Sequence, residues 1–148
     1  MSARALRCLL GMLIVAAGGA QPAWAQVSVT DAWVRATVPG QTSSAAYFLI
    51  RSDADVGLVS VQSPVAQSCE LHEMSMQQDV MRMRAVDGLR IPAHQVVALE
   101  PLHRHLMLQG LKKTLNAGDR VALTLLFADA EGKRQSVKIE APVRDQAP

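Results

Sequence analysis

The feature that most constrains this chain is a period-two hydrophobic alternation that returns in short segments from Val27 to Val143. Alternation puts successive side chains on opposite faces of an extended strand, whereas a helix would repeat its apolar positions every three to four residues. Val27 and Val29, then Ala32 and Val34, mark the first segment, with Asp31 near an offset between the two pairs. Ala46, Phe48 and Ile50 alternate in the second, and Leu58–Val61, Ser68–His72, Val80–Val86, Val96–Leu99, His105–Leu108, Val121–Phe127 and Ser136–Val143 follow. Turn signals separate them, among them Asp53-Ala54-Asp55, Ser63-Pro64, Asp87-Gly88, Asn116-Ala117-Gly118-Asp119 and Asp129-Ala130-Glu131-Gly132. About nine short strands at this spacing predict an all-β antiparallel sandwich or barrel. A helix over Leu106–Leu115 is the competing local reading, and Gly110 weakens it.

The first 25 residues stand apart. Arg4 and Arg7, the apolar run Leu9–Ala17 and the small-x-small sequence Ala23-Trp24-Ala25 read as a cleavable secretory signal over residues 1–25. The run is short for a bilayer span, and no later apolar segment is long enough for one. Cys8 lies inside the apolar run rather than just after a cleavage point, which argues against a lipid on it. Residues 26–148 then form one exported, periplasmic β-domain. Arg4 and Arg7 account for the formal charge of +2; beyond them basic and acidic residues balance. A neutral domain without a basic run gives no electrostatic case for nucleic acid or an anionic membrane. Only Cys69 remains after cleavage, so no intramolecular disulfide supports the fold.

All four histidines and five of the seven methionines lie between His72 and Met107. One methionine alone is ordinary core filler, and one histidine an ordinary loop residue. Parity changes that reading. His105 and Met107 share a face while Leu106 and Leu108 take the other, Met81 and Met83 share a face opposite Val80, and His72 opposes Cys69 and Leu71. Three segments thus present imidazole nitrogen and thioether sulfur on the face their core residues leave free. Thioethers are soft, uncharged and poor ligands for Zn²⁺, Mg²⁺ or Ca²⁺, so a Met/His set favours Cu(I). Neutral ligands leave a +1 site, which predicts a shallow, partly exposed position.

The spacing of His72, ten residues, Met83, twenty-one residues, His105, one residue and Met107 resembles the signature of periplasmic copper chaperones of the PCuAC type. The surroundings Glu70-Leu71-His72-Glu73, Val80-Met81-Arg82-Met83-Arg84, His105-Leu106-Met107-Leu108 and Gly110-Leu111-Lys112 share the likeness, which covers nearly all of the exported chain. The resemblance implies a cupredoxin-like Greek-key fold and Cu(I) on His72, Met83, His105 and Met107. It further implies delivery towards the CuA domain of cytochrome c oxidase subunit II or another copper-handling protein. His103-Arg104 replaces the family's frequent Gly-Gly before the second histidine, which makes His103 a candidate auxiliary ligand. Met81 is a reserve donor on the face of Met83. Met74 and Met76 fall in an expected loop, as mobile outer ligands or with no role at the metal, His94 is an exposed turn residue, and the His/Met-rich C-terminal tail of some family members is absent here.

Rival readings are copper storage or buffering, a blue-copper electron carrier, an enzyme, and a metal-free structural sandwich. Cys69, His72 and Met74 supply three donors of a blue-copper set, but no histidine precedes His72 and parity turns Cys69 away from it. No Ser/His/Asp arrangement, Gly-rich phosphate loop or carboxylate pair stands out for catalysis. Glu70 and Glu73 flank His72 and are expected to orient its imidazole or simply to face water.

Overall fold

A computed structural model describes residues 24–146, so the expected signal lies outside the described residues except for Trp24 and Ala25. The described chain is all-β: β1 (Val27–Arg35), β2 (Ser43–Ser52), β3 (Val56–Gln62), β4 (Ser68–Gln77), β5 (Val80–Ala85), β6 (Leu89–Ile91), β7 (Val96–Leu99), β8 (Arg104–Gln109), β9 (Arg120–Asp129) and β10 (Arg134–Arg144). Hydrogen bonding runs in the order β5-β4-β8-β2-β1-β10-β9-β3-β6, with β7 also paired to β2. The path folds over so that Phe48, Ile50, Leu106 and Leu108 of one layer meet Leu58, Leu123, Leu125 and Phe127 of the other in a single core. Burial alternates along β9, where Val121, Leu123, Leu125 and Phe127 point inward. Each such leucine or phenylalanine contributes roughly 1.5–3 kcal/mol by leaving water.

The expected alternation is thus the alternation of this core, with three differences. There is a tenth strand, the three-residue β6, too short to show a period. β1 and β10 pair in parallel, Val34 with Val143, whereas the sequence predicts antiparallel pairing throughout. Parallel neighbours cannot be joined by a tight turn, and here they are the two ends of the domain, brought together only when the layers close. The helical reading of Leu106–Leu115 is wrong. Leu106–Gln109 belongs to β8, which stops at Gly110 with φ of 63°. A Cβ at Gly110 would lie 2.6 Å from the Gln67 side chain, so the chain can turn there only without one.

Two local irregularities shape the outer face of the sheet. In β1 the pairing with β2 shifts between Thr30 and Trp33, around Asp31 with φ of 53°. This one-residue bulge falls at the offset expected from the sequence, and it reverses the strand's parity. Val27 and Val29 pack against the core before it and Val34 after it, so Trp33 is turned to the outer face, opposite Tyr47. The second irregularity is the β4–β5 turn. Gln78 and Asp79 both adopt left-handed φ, 49° and 61°, as a two-residue hairpin turn requires. Lacking Gly or Asn, this turn carries no strong signal in the sequence.

Candidate metal centre

Register assembles the donors. His72 of β4 is directly opposite His105 of β8, and the rings lie 5.7 Å apart at 66°. Directly opposed residues share a face. The outer face therefore carries Glu70, His72, Met74 and Met76 on β4, His105 and Met107 on β8, and Met81, Met83 and Ala85 on β5. Met107 opposes Glu70, one pair from the histidines. On the other side Ala85 opposes His72, so Met83 is its diagonal neighbour, a separation of roughly 7–8 Å that long side chains span. Met83 and Met107 flank the imidazole pair from opposite sides; they do not adjoin each other. Met81 is one step farther along β5, opposite Met76, which leaves Met83 the nearer donor of the two.

The histidines are less open than expected: His72 is 8% and His105 7% exposed, against 50% for Met83. The partial exposure lies on the methionine side, at edge strand β5, whose residues are all exposed. On the opposite flank, β2 pairs with β8 as far as Ala46 and with β7 from Phe48 onward, and Tyr47 stands at this fork. Its ring packs on Trp33, centroids 4.5 Å apart, and both aromatics are buried. Sequence reasoning does not single out this pair. Its one signal is the Asp31 offset, which predicts that Trp33 changes faces.

The two imidazoles differ in their hydrogen bonds. His72 Nε2 lies 3.1 Å from Glu70 Oε2, and the Gln109 amide donates to that same oxygen at 3.2 Å. A carboxylate only accepts, so Nε2 carries a proton, and in a neutral ring the lone pair then falls on Nδ1. His72 Nδ1 is buried and has no hydrogen-bond partner. Burial lowers the His105 pKa, the neighbouring His72 lowers it further, and a hydrogen bond to the His103 backbone partly opposes both. His105 is thereby held neutral, as a metal ligand must be. Of the two roles expected for the flanking glutamates, Glu70 takes the first and orients the His72 ring. Glu73 faces the other way, where it accepts hydrogen bonds from Arg84 and Arg104 at 3.0 Å each. Those two contacts hold its carboxyl below the usual range.

The remaining sequence candidates sort by position. Met74 and Met76 are not in a loop: both belong to β4, which continues to Gln77, with Met74 opposite Met83. Exposed His103 accepts the Met74 backbone N–H at 3.0 Å through its carbonyl and lies in a cleft with Glu100 and Arg104, beside the histidine pair rather than within it. His94 is exposed in a turn with φ of 62°. Cys69 packs against the core from the opposite face of β4, and burial pushes its thiol up to about 11. The Cys-His-Met grouping of a blue-copper centre is therefore not assembled. Among the described residues no group of three His, Cys, Asp or Glu side chains converges, and the further soft donors beside this pair on the outer face are the thioethers of Met83 and Met107.

Residues 27–143 match the LpqE-like family, described as putative lipoprotein LpqE-like. The chain belongs to that family. Among its relatives, putative lipoprotein Lxx21020 of Leifsonia xyli subsp. xyli is 33% identical over 120 residues, covering 80% of this chain and 70% of its own length. Uncharacterized protein RP573 of Rickettsia prowazekii is also 33% identical, over 124 residues, covering 80% and 68%. The solved copper-bound PCuAC domain from PmoF2 superposes with a TM-score of 0.65 at 23% identity, covering 81% of this chain and 93% of that domain. Solution structures of DR1885 from Deinococcus radiodurans superpose at 0.59 for the CuI form, with 31% identity over 78% of this chain and 76% of that one. The apo form gives 0.60 at 30% identity over 99% and 95%. The likeness to PCuAC proteins and the cupredoxin-like fold read from the motif are borne out.

Proposed function

We propose that this LpqE-like protein is a non-enzymatic copper carrier that holds one Cu(I) ion, as cargo, on His72, Met83, His105 and Met107. The observation that carries the reading is the buried, unpartnered Nδ1 of His72, in a ring 5.7 Å from the imidazole of His105. Leaving such an atom unpaired costs about 1–3 kcal/mol, and a bound metal ion recovers that cost. The flanking donors are thioethers, and Cys69, the one thiol among the described residues, faces the core, which favours a soft monovalent ion. Copper in the PmoF2 domain and Cu(I) in DR1885 support the same choice. Thioethers take up no proton when the ion leaves, and half-exposed Met83 on an edge strand is where an acceptor could displace a donor.

Export to the periplasm, with cleavage after Ala25, and delivery to the CuA domain of cytochrome c oxidase subunit II complete the proposal. Both rest on the leader-like sequence and the motif resemblance. Anaerobic competition against a colourimetric Cu(I) chelator tests the site. Met83→Leu and Met107→Leu should each weaken tight binding by at least about tenfold, or about 1.4 kcal/mol. Wild-type affinity in both variants would refute the ligand assignment. Metal analysis after mixing the loaded protein with a soluble CuA domain tests delivery; copper that stays on the donor would favour storage.

A further inference from the structure

Three methionines remain outside the four-residue site: Met74 is half-buried, and packing does not explain Met76 and Met81. Met76 is 63% and Met81 44% exposed, and neither belongs to the core. An exposed thioether gains little of the burial that justifies methionine as filler. Their arrangement is nevertheless specified. Met76 is directly opposite Met81, Met74 directly opposite Met83, and Met74 and Met76 are next neighbours on one face of β4. The left-handed pair Gln78–Asp79 allows a two-residue turn and fixes this register from the tip. Opposed Cβ atoms stand about 4.5–5.5 Å apart, so two thioethers reach one point between them, with Met74 flanking it.

Charge is partitioned across the same hairpin. Glu73 opposes Arg84 and Ser75 opposes Arg82, so both arginines and the glutamate project from the other face. Within the hairpin the face from Met74 to Met81 carries thioethers, and His103 stands beside Met74 on the flank away from β5. We infer that Met74, Met76 and Met81 form a second, thioether site for a soft monovalent metal ion at the hairpin tip, through which copper enters or leaves the histidine site. This rests on the reading that the chain carries Cu(I). The ladder runs unbroken from Met76 and Met81 through Met74 and Met83 to His72, a succession of neutral donors. Built on thioethers and standing in water, the tip holds its ion more weakly than the histidine pair does.

Ag(I), a closed-shell soft monovalent probe, tests this on the whole protein with ¹³C-methyl-labelled methionine. The first equivalent should shift the Met83 and Met107 methyls with the His72 and His105 rings, and the second those of Met74, Met76 and Met81. Met76→Leu combined with Met81→Leu should weaken the second ion at least about tenfold and leave the first unchanged. A His72→Ala/His105→Ala variant should still load the hairpin. A second equivalent that leaves the three methyls in place, or a double leucine variant that holds two ions as tightly as wild type, overturns the inference. Hairpin shifts with the histidine rings unmoved throughout would sink the four-ligand reading and leave the hairpin site standing.

Discussion

Glu70→Ala isolates the cause of the His72 ring's orientation. The carboxylate touches His72 only through Nε2, at 3.1 Å, and is steadied by Gln109 at 3.2 Å. Removing it leaves Nε2–H without its acceptor and frees the ring to exchange its proton to Nδ1 or to turn about χ2. Either change takes the lone pair away from the metal position. Partners of this kind are worth about 10- to 100-fold in metal affinity. The Glu70 side chain is 45% exposed, so water can replace part of what it does and its charge is well screened. That places the expected loss at the lower end, about tenfold or about 1.4 kcal/mol. Glu70→Gln keeps an accepting oxygen and should recover most of it. Long-range ¹H–¹⁵N correlation reads the tautomer directly, and chelator competition reads the affinity. A wild-type apo ring protonated on Nδ1, or an alanine variant with unchanged tautomer and affinity, would refute the reasoning.

The depressed pKa of His105 fixes the sign of a pH effect. Below the unfolded value near ~6.5 the unfolded chain binds a proton that the folded chain resists, so this contribution to stability is full above that pH and falls as the pH drops towards the folded pKa. Urea midpoints should therefore decrease between about pH 7.5 and about pH 5, together with Cu(I) affinity; an apo-protein equally stable at both would contradict the assignment. Cys69, pushed up from 9.0 to about 11, carries roughly a hundredfold less thiolate than an ordinary thiol near neutral pH. Native protein should resist alkylation until unfolded, and Cys69→Ala should cost some stability while leaving copper stoichiometry unchanged; rapid alkylation that copper blocks would put the thiolate at the metal instead. Intact mass from the extracytoplasmic fraction should correspond to a chain starting at Gln26, and retained residues 1–25 or a lipid on Cys8 would disprove cleavage after Ala25.

Much of the fold is legible because β-structure writes itself in parity. The inward set Leu106, Leu108, Val121, Leu123, Leu125 and Phe127 follows from alternation alone, since a strand buried on one face must segregate its side chains. The same rule places Cys69 inward and His72 outward. It gives less at β6, with three residues, and at the Gln78–Asp79 turn, where ordinary residues adopt a conformation usually signalled by Gly or Asn. The expectation of a loop at Met74 and Met76 fails for want of that turn, because a strand without its partner shows no reason to continue.

The donor inventory and the outward face of His72, Met81, Met83, His105 and Met107 are already written in the sequence, because side-chain chemistry and strand parity are local properties. The sequence also carried the spacing by which the family resemblance could be read. Only the tertiary structure decided which strands are neighbours and in what register. Opposing His72 to His105 depends on pairing β4 with β8, and moving Trp33 beside Tyr47 depends on how β1 accommodates its extra residue against β2. Buried Nδ1, the Glu70 contact and the position of Met83 nearer than Met81 to His72 come from that register as well. Register is settled by long-range closure of one core, where a slip of one residue would turn every buried leucine outward, and no local pattern contains that energy.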